Sequence, residues 1–248
     1  MLIENKQGNY RFLKGMVPYS SGAVASPGYE VIHVRLRQPL PWRAGFERVD
    51  GHLRSEGRAR HALCGMELRC PEPYSMAGFV AFNRGYCAVL EEWGLHVNGM
   101  NPVARTNVSP EFAAPAEPAL YGFSYTAPAD HETLTFVAAG AGELRAQELI
   151  AEGIVRRGDT SLDAMREKAK YVMDVMEERL GEMGGAWADV TAVDVYTVHP
   201  VIEALEELVF SRMGSAAIHG VQWFHARPPV LEIEFEMDLR GVGKELIL

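Results

Sequence analysis

The chain is poor in cysteine. Cys64, Cys70 and Cys87 are the only three in 248 residues. An odd count without a framework spacing excludes a disulfide scaffold. Cys64 and Cys70 are too far apart for a CxxC pair, and no His/Cys cluster has zinc-ligand spacing. No metal and no cofactor is expected. Basic runs are also missing. The net charge is -9, and the densest basic stretch, residues 54–60, sets Arg58 and Arg60 beside Glu56, which reads as a solvated loop. A nucleic-acid partner is therefore not expected. No apolar run approaches a membrane span, and the N-terminus lacks the apolar core of a signal peptide. The expectation is a soluble, cytoplasmic protein with reduced thiols and no membrane partner. No Ser-His-Asp order or phosphate loop stands out, since Gly140-Ala141-Gly142 lacks the helix start that a dinucleotide loop needs.

What is present is a hydrophobic fraction of 48%, enough for one large or two small domains. The C-terminal half is read first. Residues 133–140 are apolar and β-branched and predict a buried strand. Asp159, Thr160 and Ser161 offer N-cap side chains. Leu162, Met165, Ala169, Val172, Met176 and Leu180 then recur at helical spacing until Gly184-Gly185. Residues 189–198 alternate as a strand. Pro200 opens a second helix striped by Ile202, Leu205, Leu208 and Val209. Strands at 216–225 and 230–239 follow.

The N-terminal half repeats the order. It has a strand at 29–36, a shorter helix at 44–55, a strand at 61–69, a helix at 73–94, and strands at 103–108 and 120–126. A period of half the chain predicts a duplication. The fold class is α+β, with two units, 1–128 and 129–248, each a mixed sheet carrying two helices on one face.

Several segments resemble the reactive intermediate deaminase (Rid) family. Val17-Pro18-Tyr19-Ser20-Ser21 resembles its Gly-Pro-Tyr-Ser-Gln opening. Residues 133–140 resemble its Leu-Phe-Val-Ser-Gly strand, and residues 189–198 its Asp-Val-Val-Lys-Thr-Thr-Val-Tyr strand. Residues 102–108 resemble the segment that carries the family's substrate-binding arginine, here Arg105. Leu231-Glu232-Ile233-Glu234 resembles the strand that carries its acid, here Glu232. The resemblance implies tandem Rid-like (chorismate-mutase-like) units, of which the first is divergent and lacks a carboxylate at Leu120-Tyr121-Gly122-Phe123-Ser124. The second has His219 near the arginine position. Family members are trimers with sites between subunits and hydrolyse imines formed from enamines. A homo-oligomer, most simply a trimer, is implied here. Val195, Tyr196 and Trp223 lie on strands whose uncovered face would leave an apolar patch.

The resemblance implies a hydrolase that deaminates a small carboxylate-bearing enamine or imine, such as an aminomuconate-like intermediate. Arg105 would grip the carboxylate, because a guanidinium fork pairs bidentately and stays charged. An intersubunit salt bridge is the alternative. Glu232 would orient or deprotonate water. However, Glu232, Glu234, Glu236 and Asp238 alternate with apolar residues and equally describe a solvated strand face. Tyr19 would bond the substrate or pack at a boundary. Thr106, Asn107 and His219 are further binding candidates, although His219 reads equally as a satisfied interior histidine. Two other functions stay open: a non-catalytic small-carboxylate binder and a chorismatase-like hydrolase.

Overall fold

The computed structural model describes residues 1–145, 150–201 and 205–248. Among the described residues thirteen strands form two mixed sheets. The first sheet runs β1 (Leu2–Asn5), β2 (Tyr10–Leu13), β3 (Gly22–Ala25), β8 (Phe136–Gly142), β12 (Glu236–Gly241), β9 (Ala192–Tyr196) and β10 (Gln222–Phe224). The second runs β11 (Ala226–Arg227), β6 (Ala104–Pro110), β5 (Leu63–Arg69), β7 (Ala119–Pro128), β4 (Tyr29–Pro41) and β13 (Lys244–Ile247). The α+β class is therefore as read from the sequence.

Helices cover the outer face of each sheet. Helices α1 (Trp42–Ser55) and α2 (Met76–Glu92) press Phe46, Val49, Leu53, Tyr86 and Leu90 onto the second sheet. Helix α3 (Leu162–Glu182) lays Met165, Ala169, Val172, Met176 and Leu180 on the first. Ser161 caps α3 by accepting from Ala164 N, which satisfies one orphan donor of its first turn. The second C-terminal helix expected after Pro200 departs from α geometry. Leu205–Phe210 forms a π-helical stretch that runs into Ser211–Met213, while Ile202 lies outside the described residues.

The inner faces of the two sheets pack on each other. Tyr10, Phe12, Ala23, Val31, Cys64, Ala104, Val137 and Ala139 form one shared cluster. This gives four layers, helix–sheet–sheet–helix. Val195 and Tyr196 are fully buried within the single chain, and Trp223 is 37% exposed. The sheet face that argued for an oligomer is thus largely covered intramolecularly.

The sheets also exchange ends. Strands β1–β3 pair into the sheet of the C-terminal half through β3 and β8, and β13 pairs with β4 of the N-terminal half. Segments 1–128 and 129–248 therefore do not close separate sheets. Two strand expectations shorten. Residues 214–219 form a 3-10 turn before β10, and β12 begins at Glu236 rather than at 230. Glu232 has φ +72°, a left-handed conformation that interrupts the extended run before β12.

The acidic face of β12 is not solvated. Glu236, Asp238 and Arg240 are buried between the sheets, while Met237 and Leu239 face α3. Arg240 pairs with Asp194 at 2.8 Å, and Asp238 accepts from Thr106 at 2.6 Å and from Tyr196 at 3.0 Å. A strand buried on both faces can keep its polar alternation when each polar group finds a partner.

Candidate active site

Strand β6 lies near the edge of its sheet, under α2. Alternation splits its side chains between two environments. Ala104 and Thr106 point between the sheets, whereas Arg105 and Asn107 line a cleft of about 340 Å³. The opposite wall comes from β8, β12 and α3 through Gly140, Glu236 and Arg179, and Tyr19 closes one side.

Arg105 is 2% exposed. Its guanidinium lies among four aromatic rings, with centroids at 4.8 Å for Tyr86, 5.0 Å for Tyr19, 5.4 Å for Phe79 and 5.9 Å for Phe82. The rings offset part of the burial cost through cation–π attraction. None of its three nitrogens has a hydrogen-bond partner among the described residues. Nor does either polar side-chain atom of Asn107. Buried donors of this kind are ordinarily satisfied, so a set left open beside a cleft fits an incoming acceptor.

Glu236 is buried on the other wall. Burial pushes its carboxyl well above the usual range, and Asp238 pushes the same way, against the opposing pull of Arg105 and Arg179. The group is therefore set to carry a proton. Gly140 leaves it room, because a Cβ there would collide with Glu236 Oε1. The Gly140 N–H donates to Thr106 Oγ1 at 3.0 Å, and Thr106 donates onward to Asp238. Tyr19 keeps its proton because burial raises its hydroxyl pKa.

The sequence candidates are thus divided. Arg105, Asn107 and Tyr19 meet in the cleft. Thr106 points to the opposite face of β6 and holds Gly140 and Asp238 instead. Glu232 sits in the turn before β12, is 45% exposed at its side chain, and pairs with Arg157 at 2.8 Å and 3.0 Å. It does not line the cleft; Glu236, four residues on, does. The period-two acidic alternation left that register open. His219 is exposed at the end of the 3-10 turn, away from the cleft walls. Sequence reasoning missed Glu236 as the cleft acid and Arg179 on α3. The repeated acidic alternation signalled the former; no local pattern signalled the latter.

The fold and cleft define an α+β protein of two face-packed sheets, with a buried cation that has no hydrogen-bond partner among the described residues and a carboxyl whose pKa burial raises, both lining one cleft. The family model described as 2-aminomuconate deaminase CnbZ matches residues 2–246, and the chain belongs to that family. A 2-amino-5-chloromuconate deaminase from Comamonas testosteroni is 39% identical over 244 residues, covering 97% of this chain and 96% of that protein. Among solved structures, a chorismatase shares the fold with TM-score 0.50 at 15% identity, covering 92% of this chain and 79% of that one. A candidate endoribonuclease L-PSP from Entamoeba histolytica aligns with 47% of this chain and 90% of its own, at 14% identity and TM-score 0.33.

Proposed function

We propose that this protein is a deaminase that hydrolyses a 2-aminomuconate-type enamine to the 2-oxo acid and ammonia. The observation that carries the reading is the Arg105 guanidinium, buried and aromatic-caged yet unpartnered among the described residues, opposite a carboxyl that burial keeps protonated. The 39% identity to a 2-amino-5-chloromuconate deaminase supports the substrate class.

Arg105 takes the carboxylate next to the amino-bearing carbon through a bidentate fork, and Asn107 bonds the remaining polar edge. Glu236 donates its proton to the enamine carbon next to the amino-bearing one, which gives an iminium ion. Water then adds to the amino-bearing carbon, and the Glu236 carboxylate accepts the proton that water loses. The carbinolamine collapses, the C–N bond breaks, and ammonia leaves. One water is consumed per ammonia released. Glu236 thus takes the role that the sequence had placed on Glu232.

The same reading keeps the tandem Rid-like origin of the chain and a homotrimer as proposals. The repeated order of strands and helices supports the first. The partly exposed Trp223 and the exposed Phe112 and Ile218 support an oligomer. Ammonia release from enzymatically generated 2-aminomuconate, read by a coupled glutamate dehydrogenase assay, tests the activity. Binding of the same carboxylates without ammonia release would favour the non-catalytic binder. Turnover of chorismate instead would favour the chorismatase-like reading.

A further inference from the structure

The cleft holds more cationic side chains than one carboxylate needs. Besides Arg105, it is lined by Arg179, Arg145 and Lys14. Arg179 is placed with care. It projects from the last turn of α3, and its Nη1 donates to the carbonyls of Ala139 at 2.7 Å and Gly140 at 3.4 Å. Those two bonds tie it to β8, directly beside the cleft wall that carries Glu236. Among the described residues no carboxylate lies within ion-pair distance of its guanidinium. The neighbouring Glu182 instead binds the N-terminal ammonium at 2.7 Å. Glu236 and Tyr19 lie within electrostatic reach of Arg105 and Arg179 alike, so both cations bear on the reacting carboxyl and on the tyrosine wall beside it.

We propose that Arg179 is the distal-carboxylate site of this cleft. Arg105 holds the carboxylate beside the reacting carbon and Arg179 the one at the other end of a short unsaturated chain, so the cleft selects dicarboxylates over monocarboxylates. This assignment rests on the deaminase reading of the same cleft. The volume of about 340 Å³ exceeds what a three-carbon enamine acid would fill. The anchoring of Nη1 leaves the other edge of the guanidinium for a ligand, and its fixed position lowers the ordering cost of binding. Arg145 and Lys14 line the same cleft, where they outweigh Glu178 once Glu182 is taken by the N-terminal ammonium, and favour entry of a doubly charged substrate.

Two measurements test the assignment. In the unaltered protein, calorimetry compares muconate with sorbate, chains of equal length that differ by one carboxylate. Muconate is expected to bind at least about tenfold tighter, the worth of one charge-assisted hydrogen-bonded contact. Equal affinity overturns the proposal without any variant having to fold. Arg179→Met then tests the residue through the ratio of kcat/KM on 2-aminomuconate to that on 2-aminoacrylate. The ratio is expected to fall at least about tenfold. If Arg179 only braces β8, both substrates lose equally and the ratio stays put, which also overturns it. A protein that prefers muconate tenfold yet releases no ammonia would sink the deaminase reading and leave the dicarboxylate site standing.

Discussion

Arg105→Met should make the empty protein more stable while disabling it. In the ligand-free chain the Arg105 charge is buried and its nitrogens bond to nothing among the described residues. An uncompensated buried charge costs about 3–5 kcal/mol. The four surrounding rings, at 4.8–5.9 Å and sharing one cation, return about 2 kcal/mol together, at about 0.5 kcal/mol each. Methionine fills much of the same volume, is polarizable, and packs well against aromatic edges. The net expectation is a gain of about 1–3 kcal/mol, or about 2–12 °C in melting temperature for a chain of this size. Ligand affinity should move the other way. Losing a desolvated bidentate charge contact costs about 2–5 kcal/mol, a loss of about 30-fold or more at 1.4 kcal/mol per decade. Arg105→Lys should recover little, because an ammonium has no planar fork. Differential scanning fluorimetry with and without muconate, together with kcat/KM, reads both effects. A variant that melts lower than the parent and still binds muconate normally would refute the reasoning, because Arg105 would then be a structural residue.

Further outcomes follow from the neighbouring groups. Glu236→Gln should lower kcat at least about 100-fold, the usual worth of a placed acid–base, whereas Glu232→Gln, on its exposed salt bridge, should leave turnover unchanged. Glu236 has a raised folded-state pKa. Its contribution to stability is therefore complete below the unfolded-state pKa and is lost as pH rises through the folded value. Chemical denaturation across pH should accordingly show Glu236→Gln gaining stability relative to the parent as pH increases. Gly140→Ala should depress kcat more than melting temperature, because the added Cβ collides with Glu236 Oε1. Lys168→Met should cost about 3–5 kcal/mol in urea titration, since it strands Glu143 beneath α3 without its cation. Adding Glu143→Gln should recover part of that loss, although Glu143 also accepts from the Glu234 and Phe235 amides.

The sequence by itself determined the three long helices, the longer strands and part of one wall of the cleft. The 3.6-residue apolar stripe of α3 and the alternation of β9 are local patterns, and local patterns survive in one dimension. Arg105 could be chosen because residues 102–108 resemble the Rid segment that carries a substrate-binding arginine, and a guanidinium suits a carboxylate. Strands β1–β3 and β13 were not legible. They are four residues each, and the pairings that join them to the two sheets, β3 with β8 and β13 with β4, are with partners more than a hundred positions away. The acid was legible only as one of several. Along β12 and the turn before it, Glu232, Glu234, Glu236 and Asp238 satisfy the same period of two, so composition could not separate the exposed partner of Arg157 from the buried carboxyl across from Arg105. Tertiary structure made that choice, by burying one carboxyl against two cations and leaving another in water. It also brought Arg179 from α3 to the same cleft, since nothing local distinguishes an arginine on a helix's last turn from its solvated neighbours until β8 folds beneath it.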